Sequence, residues 1–369
     1  MDEVKPTPSE KITAEAVLQY GGQAVIEGVM MRSKHYFAVA CRRPDGQIVV
    51  QREEVDKSII GKLKWLNKPF LRGTLALIDA MALGSKALSF ASNVQLQYEQ
   101  ELKGQTAVVV SPTQKAREEF RDSAASLTNG IPLAVSETPP KSGKINDIAV
   151  GSSMAFSMAF GIVLFVLIPT LLTDKLGRYV HPLMTTASHS DVWRNITDGL
   201  IKMALFFGYI SLISCMGAIQ RVFQYHGAEH KAINTLEAGL PLDSEHALAA
   251  SRIHPRCGTS FIFIVLVVNL IVFAFLPRPV WYLRFPLHLA VIPLVAGIAY
   301  EIIKFAGKFR RNPLVMAVFA PGMATQYLTT RPPDASQIEV ALAALHSVME
   351  AEGHLPASAQ ADPPEPVTA

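Results

Sequence analysis

The chain has 369 residues, enough for one to three domains. Half of the residues are apolar and only 18% are charged, a composition that excludes disordered, collagen-like and nucleic-acid-coating proteins. The net charge of +3 is too small to indicate a polyanionic partner, and three cysteines do not make a disulfide framework, which favours a reducing compartment.

The first 69 residues are predicted to form a leader, a motif and a hairpin. Residues 1–20 are polar and lack the apolar core of a signal peptide, so we expect a flexible leader and a cytoplasmic N-terminus. The segment 21–32 is rich in glycine, and we interpret it as an irregular loop in which Glu27 and Arg32 either pair or reach into a site. Residues 37–55 show the alternation of apolar and polar side chains that is typical of strands, on both sides of a Pro-Asp-Gly turn. This pattern predicts a cytoplasmic β-hairpin.

Residues 70–102 are predicted to form an apolar helix with one polar stripe. Arg72, Asp79 and Lys86 are spaced by seven and therefore share a face of this helix. We predict a helix that lies in the membrane interface, and a fifth spanning helix is the alternative. Residues 103–146, rich in Ser, Thr, Pro, Lys and Glu, are typical of a flexible linker.

Four apolar segments within residues 147–309 predict a helical membrane bundle. The first contains no charge and is long enough to cross a hydrocarbon core of about 30 Å. The third is short, and a buried helix is the alternative for it. The segments are 148–172, 203–219, 261–276 and 285–303.

Lysine and arginine residues indicate how this bundle is oriented. They are moderately more frequent before the first span, after the second and after the fourth than in the intervening loops. Because cytoplasmic loops of membrane proteins carry this excess, we expect both termini and the loop 220–258 in the cytoplasm. The predicted location is the cell inner (cytoplasmic) membrane.

The strongest chemical motif lies in this loop. His226 and His230 are four residues apart, so on a helix both can reach one metal ion. Glu229 lies beside them and can take a proton from metal-bound water, an order that matches the inverted zincin pattern H-x-x-E-H. The alternative is an amphipathic surface helix whose polar side chains face water.

Two further segments offer ligands to the same metal. His254 and Cys257 lie just before the third span and can supply a nitrogen and a thiolate, or they are a solvated histidine and an inert cysteine. Glu301 lies near the cytoplasmic end of the fourth span, where a carboxylate is costly and marks either a functional site or a paired charge. We predict that His226, His230 and Glu301 converge, and pairing of Glu301 with Lys304 is the alternative.

The C-terminal part is predicted to be a docking segment over 310–352 followed by a disordered tail over 353–369. Asp334 is a candidate cap for a helix whose apolar residues share one face. These residues are Ile338, Ala341, Leu342, Leu345 and Val348. The predicted fold class is therefore mainly α, a polytopic membrane bundle of about four spans with a small cytoplasmic β-hairpin and a C-terminal amphipathic helix.

Four motifs, GGQAVIEGVMMR, YHGAEHKAIN, HPRCGTSF and the span ending VAGIAYE, resemble the YqhQ-like family of bacterial integral-membrane proteins of unknown function. The resemblance covers roughly residues 18–350 and implies a membrane location and a suspected metal, but no substrate. It implies functional positions at Glu27, Arg32, His226, Glu229, His230, His254, Arg256, Cys257 and Glu301.

Two function classes follow from these motifs. The first is a metal-dependent hydrolase, with zinc as the expected divalent metal, His226 and His230 as ligands and Glu229 as general base. Glu301, His254 or Cys257 completes its ligand set, and Glu27, Arg32 and Arg256 support the site or its substrate.

The second class is a scaffold or assembly factor with a structural metal or a polar cluster, and a transporter is a weaker alternative. The lipid bilayer is the expected partner, a peptide or a lipid-linked molecule the expected substrate, and an oligomer is compatible with either class. No nucleic-acid partner is expected.

Overall fold

The computed structural model of the chain describes residues 20–55, 72–102, 133–135, 144–180, 190–277, 281–309 and 312–354. Nearly all of the predicted leader, most of the predicted linker and all but the first two residues of the predicted tail lie outside these residues. The described part is mainly helical and contains one small sheet, which confirms the predicted fold class at that level.

The sheet is formed by an antiparallel meander with one short parallel strand added. Its strands, in spatial and chain order, are β1 (Gly21–Val25), β2 (Gly28–Arg32), β3 (Tyr36–Arg42), β4 (Ile48–Glu54) and β5 (Leu133–Val135). The predicted hairpin is confirmed as β3 and β4. The predicted irregular loop is wrong, because residues 21–32 form a second hairpin; the first four residues of β2 are all buried and so lack the alternation that marks a strand.

The helices follow in chain order. They are α1 (Arg72–Leu102), α2 (Lys144–Ile162), which continues through a π-helical turn (Val163–Leu167) into α3 (Ile168–Val180), α4 (Ser190–Ile213), α5 (Gly217–Ala238), α6 (Ser244–Ala249), α7 (Gly258–Ala274), α8 (Trp281–Lys308), α9 (Pro313–Ala324), α10 (Gln326–Thr329) and α11 (Ala335–Ala351).

Both faces of the sheet are covered. The C-terminal half of α1 packs on one face through Leu83, Phe90 and Val94. Helices α5 and α11 pack on the other face, where Tyr225 and Leu345 are fully buried. The predicted C-terminal helix is thereby confirmed: Asp334 forms a capping box with Gln337, and all five residues of the predicted apolar face are buried.

The polar stripe of α1 forms ion pairs with three other elements. Arg72 pairs with Glu301 of α8 at 2.5 Å, Asp79 with Arg32 of β2 at 2.8 Å, and Lys86 with Glu53 of β4 at 3.6 Å. These partners lie on one helix and two strands, and the interfacial and the spanning interpretations of α1 both stay predictions.

Four helical segments are long and apolar enough to cross a membrane by length and composition: Arg72–Glu99, Ala155–Leu176, Asp191–Ile213 and Pro286–Lys308. The predicted second span, 203–219, is misplaced, because the helix ends at Ile213 and a new helix begins at Gly217. The predicted third span corresponds to the shorter α7, which packs against α4 and α8. Buried residues of α7 and α8, such as Val268 and Ala299, form the core of this bundle.

Candidate metal centre

Helix α5 presents two faces with different roles. Tyr225, Ala228 and Ala232, at helical spacing, are fully buried against the sheet and α11. The other face holds the loop that follows α6: the amide of Asn234 donates to the carbonyl oxygens of Ser251 and Ile253 at 2.7 and 3.1 Å. The apolar face therefore anchors α5 in the domain, while the polar face holds the loop that carries His254 and Cys257.

Backbone carbonyls orient both histidines of the motif. The Nδ1 of His226 lies 2.8 Å from the carbonyl oxygen of Thr329, and the Nδ1 of His230 lies 2.6 Å from that of Arg252. A carbonyl oxygen only accepts, so each Nδ1 carries a proton and each Nε2 is left as a lone-pair donor. Metal-binding histidines are typically held in this way by a partner on the second ring nitrogen.

Cys257 completes a group of three donors. It is the N-terminal cap of α7, and its Sγ lies 3.3 Å from the Nε2 of His226. One donor atom each of His226, His230 and Cys257 lie within 4.8 Å of one another. Zinc–nitrogen and zinc–sulfur bonds of about 2.0 and 2.3 Å place such donors about 3.5 Å apart in a tetrahedral site, so the group fits a zinc-type ion. The sequence predictions for these three residues are compatible with this geometry.

The carboxyl group of Glu229 borders these donors. One of its oxygens lies 3.6 Å from the Nε2 of His230, and only 9% of the side chain is exposed. Burial raises the pKa of Glu229, against the opposing charges of His226, His254 and Arg256 and a hydrogen bond from the backbone of Gly22. A buried carboxyl with a raised pKa beside potential metal ligands is suited to proton transfer.

Two glycines allow backbone to approach this centre. A Cβ on Gly22 of β1 would lie 2.8 Å from the Cγ of Glu229, and a Cβ on Gly227 would overlap the carbonyl oxygen of Arg331. The glycine-rich motif at 21–22 thus brings the edge of the sheet against Glu229. The glycine inside the histidine motif lets the chain after α10 cross α5 and place the Thr329 carbonyl on His226.

His254 lies next to the donors but has other partners. Its ring centre is 5.9 Å from that of His230, its Nε2 lies 3.2 Å from Glu237, and its Nδ1 accepts from the backbone of Arg256 at 3.3 Å. Glu237 also pairs with the Arg256 guanidinium. Although burial raises the pKa of Glu237, these two partners lower it well below its ordinary value. Glu237 and Arg256 therefore form an ion pair beside the centre, and His254 is hydrogen-bonded to both residues.

The other predicted site residues lie on different contacts. Glu301 binds Arg72 through two hydrogen bonds of 2.5 and 2.6 Å, and within the described part of the chain it is not among the three grouped donors. Glu27 occupies the β1–β2 turn with φ 51° and pairs with Arg221 of α5, and Arg32 pairs with Asp79. The structure therefore does not place Glu301, Glu27 or Arg32 beside the donors.

Sequence reasoning missed the groups that hold these donors in place. Gln326 is fully buried and bonds both the amide and the carbonyl of His254, at 2.8 and 2.7 Å. The carbonyls of Thr329 and Arg252 carry no side-chain signature at all.

Comparisons with known proteins identify the family. Residues 68–351 match a family model described as a protein of unknown function (DUF1385). The chain is 34% identical over 338 residues to uncharacterized protein YqhQ of Bacillus subtilis (strain 168), which covers 90% of this chain and 93% of that protein. No solved structure matches. Both matches confirm the resemblance of the motifs, and the chain belongs to the YqhQ-like DUF1385 family of proteins of unknown function.

Proposed function

We propose that the protein is a metal-dependent hydrolase whose site lies at the cytoplasmic boundary of a bacterial membrane. The observation that carries the proposal is the convergence of donors from His226, His230 and Cys257 beside the buried carboxyl of Glu229. Three protein ligands are the number found in catalytic zinc sites, which keep a fourth position for water.

Each residue has a role in this proposal. The two imidazoles and the thiolate of Cys257 hold the ion, and the carbonyls of Thr329 and Arg252 keep both rings in the ligating orientation. A zinc ion held there would supply water with a pKa near 7. The carboxyl of Glu229, buried beside the donors, is placed to accept a proton and to return it to a leaving group.

Exposed apolar side chains support the membrane location. Phe156 and Leu212 are 72% exposed on helices whose length and composition suit a membrane, and Phe275, directly after the shorter apolar helix α7, is 81% exposed. Soluble proteins rarely expose apolar surface of this extent, whereas a bilayer covers it. With α7 as a spanning helix, Cys257 at its N-terminus lies at the membrane boundary.

Metal content tests the proposal directly. We expect about one zinc per chain in protein purified without chelator, and its loss in His230→Ala, because removal of one of three ligands leaves too few donors. The matched control is His246→Ala, a histidine of the same loop that bonds Asp243 at an exposed helix cap. Metal in neither the wild type nor the control, with both folded, contradicts the proposal.

A structural metal site is the second candidate, and one distance favours it. The Glu229 oxygen 3.6 Å from His230 is close enough to become a fourth ligand, which would close the site and suit a scaffold protein. Glu229→Gln separates the two functions. Retained metal with lost hydrolysis of p-nitrophenyl acetate supports the hydrolase, and lost metal supports the structural site.

A further inference from the structure

We infer that the outer edge of β1 binds an extended peptide and leads its backbone past Glu229, so that the substrate class of the site is polypeptide. This inference rests on the proposed hydrolase function. It depends on three features of β1: its position in the sheet, the direction of its backbone groups and its contact with the candidate site.

β1 is the outermost strand of the described sheet, and β2 is its partner within that sheet. Helix α5 flanks it on one face through Glu229, and α1 flanks it on the other, where Gly84 meets the side chain of Gln23. Gly22 and Gln23 are exposed and Ala24 is partly exposed. Among the described residues, no further strand pairs with this edge, which lies between two helices.

The hydrogen-bond pattern shows which groups face outward. The amide of Arg42 donates to the carbonyl of Glu27, and that of Ser33 to the carbonyl of Tyr36, both at 2.8 Å. Because hydrogen-bonded pairs alternate along antiparallel strands, β2 bonds β3 through its odd-numbered residues and β1 through its even-numbered ones. The register pairs those even-numbered residues with Gly21, Gln23 and Val25.

Gly22 and Ala24 consequently direct their amides and carbonyls away from β2. Gly22 also lies against Glu229, because a Cβ added at Gly22 would be 2.8 Å from the Cγ of Glu229. The carbonyl of Gly22 and both groups of Ala24 have no hydrogen-bond partner among the described residues. Three adjacent outward groups match the spacing at which an added strand pairs with a sheet edge, which is a common mode of peptide recognition.

This edge leads directly to the candidate centre. A Cβ on Gly22 would lie 2.8 Å from the Cγ of Glu229, and a carboxyl oxygen of Glu229 lies 3.6 Å from the Nε2 of His230, which is grouped with His226 and Cys257. A peptide paired with Ala24 and Gly22 therefore runs its next residues past Glu229. Main-chain pairing supplies affinity without requiring a particular side chain, so an extended polypeptide is the ligand that this edge recognises.

The reaction at this position is hydrolysis of an amide bond. The oxygen of a water molecule bonds to the carbonyl carbon, and Glu229 takes a proton from that water. Glu229 then gives a proton to the amide nitrogen as the carbon–nitrogen bond breaks, which yields a carboxylic acid and an amine. The electron pair of the broken bond stays on nitrogen, so no oxidant or reductant is needed.

Ala24→Pro tests the edge because it deletes the outward amide of Ala24 and leaves the bonds between β1 and β2 intact. Proline is tolerated where the missing amide faces outward from an edge strand. We use zinc-loaded full-length protein, fluorescein-labelled β-casein as the extended polypeptide and p-nitrophenyl acetate as a substrate too small to pair with a strand. The ratio of casein cleavage to ester hydrolysis is expected to fall about tenfold in Ala24→Pro. Ala24→Ser keeps the amide and is expected to keep the ratio.

The outcomes separate this inference from the proposed function. A wild-type enzyme that hydrolyses the ester but not casein, or an Ala24→Pro variant with the wild-type ratio, overturns the peptide edge and leaves the hydrolase standing. If zinc-loaded wild type hydrolyses neither compound, the hydrolase proposal fails, and binding of labelled casein decides the edge. About tenfold weaker binding to Ala24→Pro then supports it, and equal binding overturns it.

Hydrogen exchange of the wild type gives a result that does not depend on the folding of any variant. Exchange of the Ala24 amide that slows when casein is added supports pairing at the edge, and exchange that does not change overturns it.

Discussion

Gly227 lies between the first metal-ligand candidate and the buried face of α5, at the point where the chain after α10 crosses this helix. A Cβ at this position would overlap the carbonyl oxygen of Arg331. Arg331 follows Thr329, whose carbonyl orients His226, by only two residues. The space at Gly227 is therefore a condition for the ring orientation of His226.

Gly227→Ala is expected to weaken zinc binding and to lower the free energy of unfolding by about 1–3 kcal/mol, the usual cost of overpacking. Isothermal titration with zinc and denaturant unfolding measure the two effects. Gly208→Ala is the matched control, because Gly208 lies in α4 with no neighbouring atom within 4 Å of an added Cβ. Equal zinc affinity in both variants would show that Gly227 has no role in orienting His226.

Glu352 provides a pH-dependent contact between α11 and the β2–β3 turn. Although burial raises the pKa of Glu352, hydrogen bonds from Ser33 and from the side chain and backbone of His35 outweigh it, so the pKa lies below the ordinary 4.5. The folded carboxyl thus binds its proton at a lower pH than the unfolded one. Its contribution to stability is complete above pH 4.5 and is lost as the pH falls through the folded pKa.

Glu352→Gln is accordingly expected to lower the free energy of unfolding at neutral pH and to lower it progressively less as the pH falls below about 4.5. Unfolding curves of both proteins over this range measure the difference. A difference that stays constant with pH would show that ionisation of Glu352 does not stabilise the fold.

At the scale of elements, α4 contains a buried ion pair inside the apolar bundle. The Lys202 ammonium lies 2.7 Å from Asp198, with only 9% and 12% of the two side chains exposed. His288 of α8 lies 3.3 Å from the same ammonium, and Thr173 of α3 donates to Asp198 at 3.4 Å. The pair therefore links three helices of the bundle.

Lys202→Met is expected to destabilise the protein by about 3–5 kcal/mol, because it leaves the Asp198 carboxylate buried without its counter-charge. Combining it with Asp198→Leu is expected to recover part of the loss. Lys86→Met is the control: its side chain is 54% exposed and its ammonium lies 3.6 Å from Glu53, so we expect about 1 kcal/mol or less. Denaturant unfolding in detergent measures all three, and similar losses for Lys202 and Lys86 would contradict a stabilising role of the buried pair.

At the scale of the whole molecule, the proposed orientation places the sheet, α5 and α11 on the cytoplasmic side. Cys215 lies between α4 and α5 and is exposed, whereas Cys41 and Cys257 are buried. Asp191 begins the same α4 at its other end, and Phe275 follows α7 directly. These three positions report on both ends of α4 and on the far end of α7.

We expect Cys215 to react with a membrane-impermeant maleimide only after cells are opened. Asp191→Cys and Phe275→Cys, each in a Cys215→Ser background, are expected to react in intact cells. Phe275→Cys is the sharper test, because the 17 residues of α7 extend only about 25 Å. Labelling of Cys215 in intact cells would reverse the orientation, and Phe275→Cys labelling only in opened cells would show that α7 does not cross.

Signals that depend on neighbouring residues were enough to predict several features. The i and i+4 spacing of His226 and His230 places both on one face of any helix, and the cap and apolar face of α11 follow the same helical period. The turn between β3 and β4 was predicted from its Pro-Asp-Gly sequence, because these residue types favour turns. Each of these features involves residues within about four helical turns or one hairpin, so short-range geometry determines them.

The tertiary structure decided which distant residues meet. Glu301, predicted to join His226, lies on Arg72, 229 positions away in the chain, while Cys257 lies against His226. The sequence allowed Glu301, His254 or Cys257 as the remaining ligand. Only the packing of α1 on α8 and of α7 beside α5 distinguished these candidates. Composition likewise selects α1 as a membrane helix, although half of it covers the sheet.

The amino-acid sequence by itself determined the local elements, the apolar character of the bundle and the pair of histidines, because each depends on periodicity within one segment. The tertiary structure alone decided the third donor, the carbonyls that orient the rings, and the approach of Gly22 to Glu229. These contacts join residues far apart in the chain, and their free energy comes from burial and hydrogen bonds that exist only once the elements have packed.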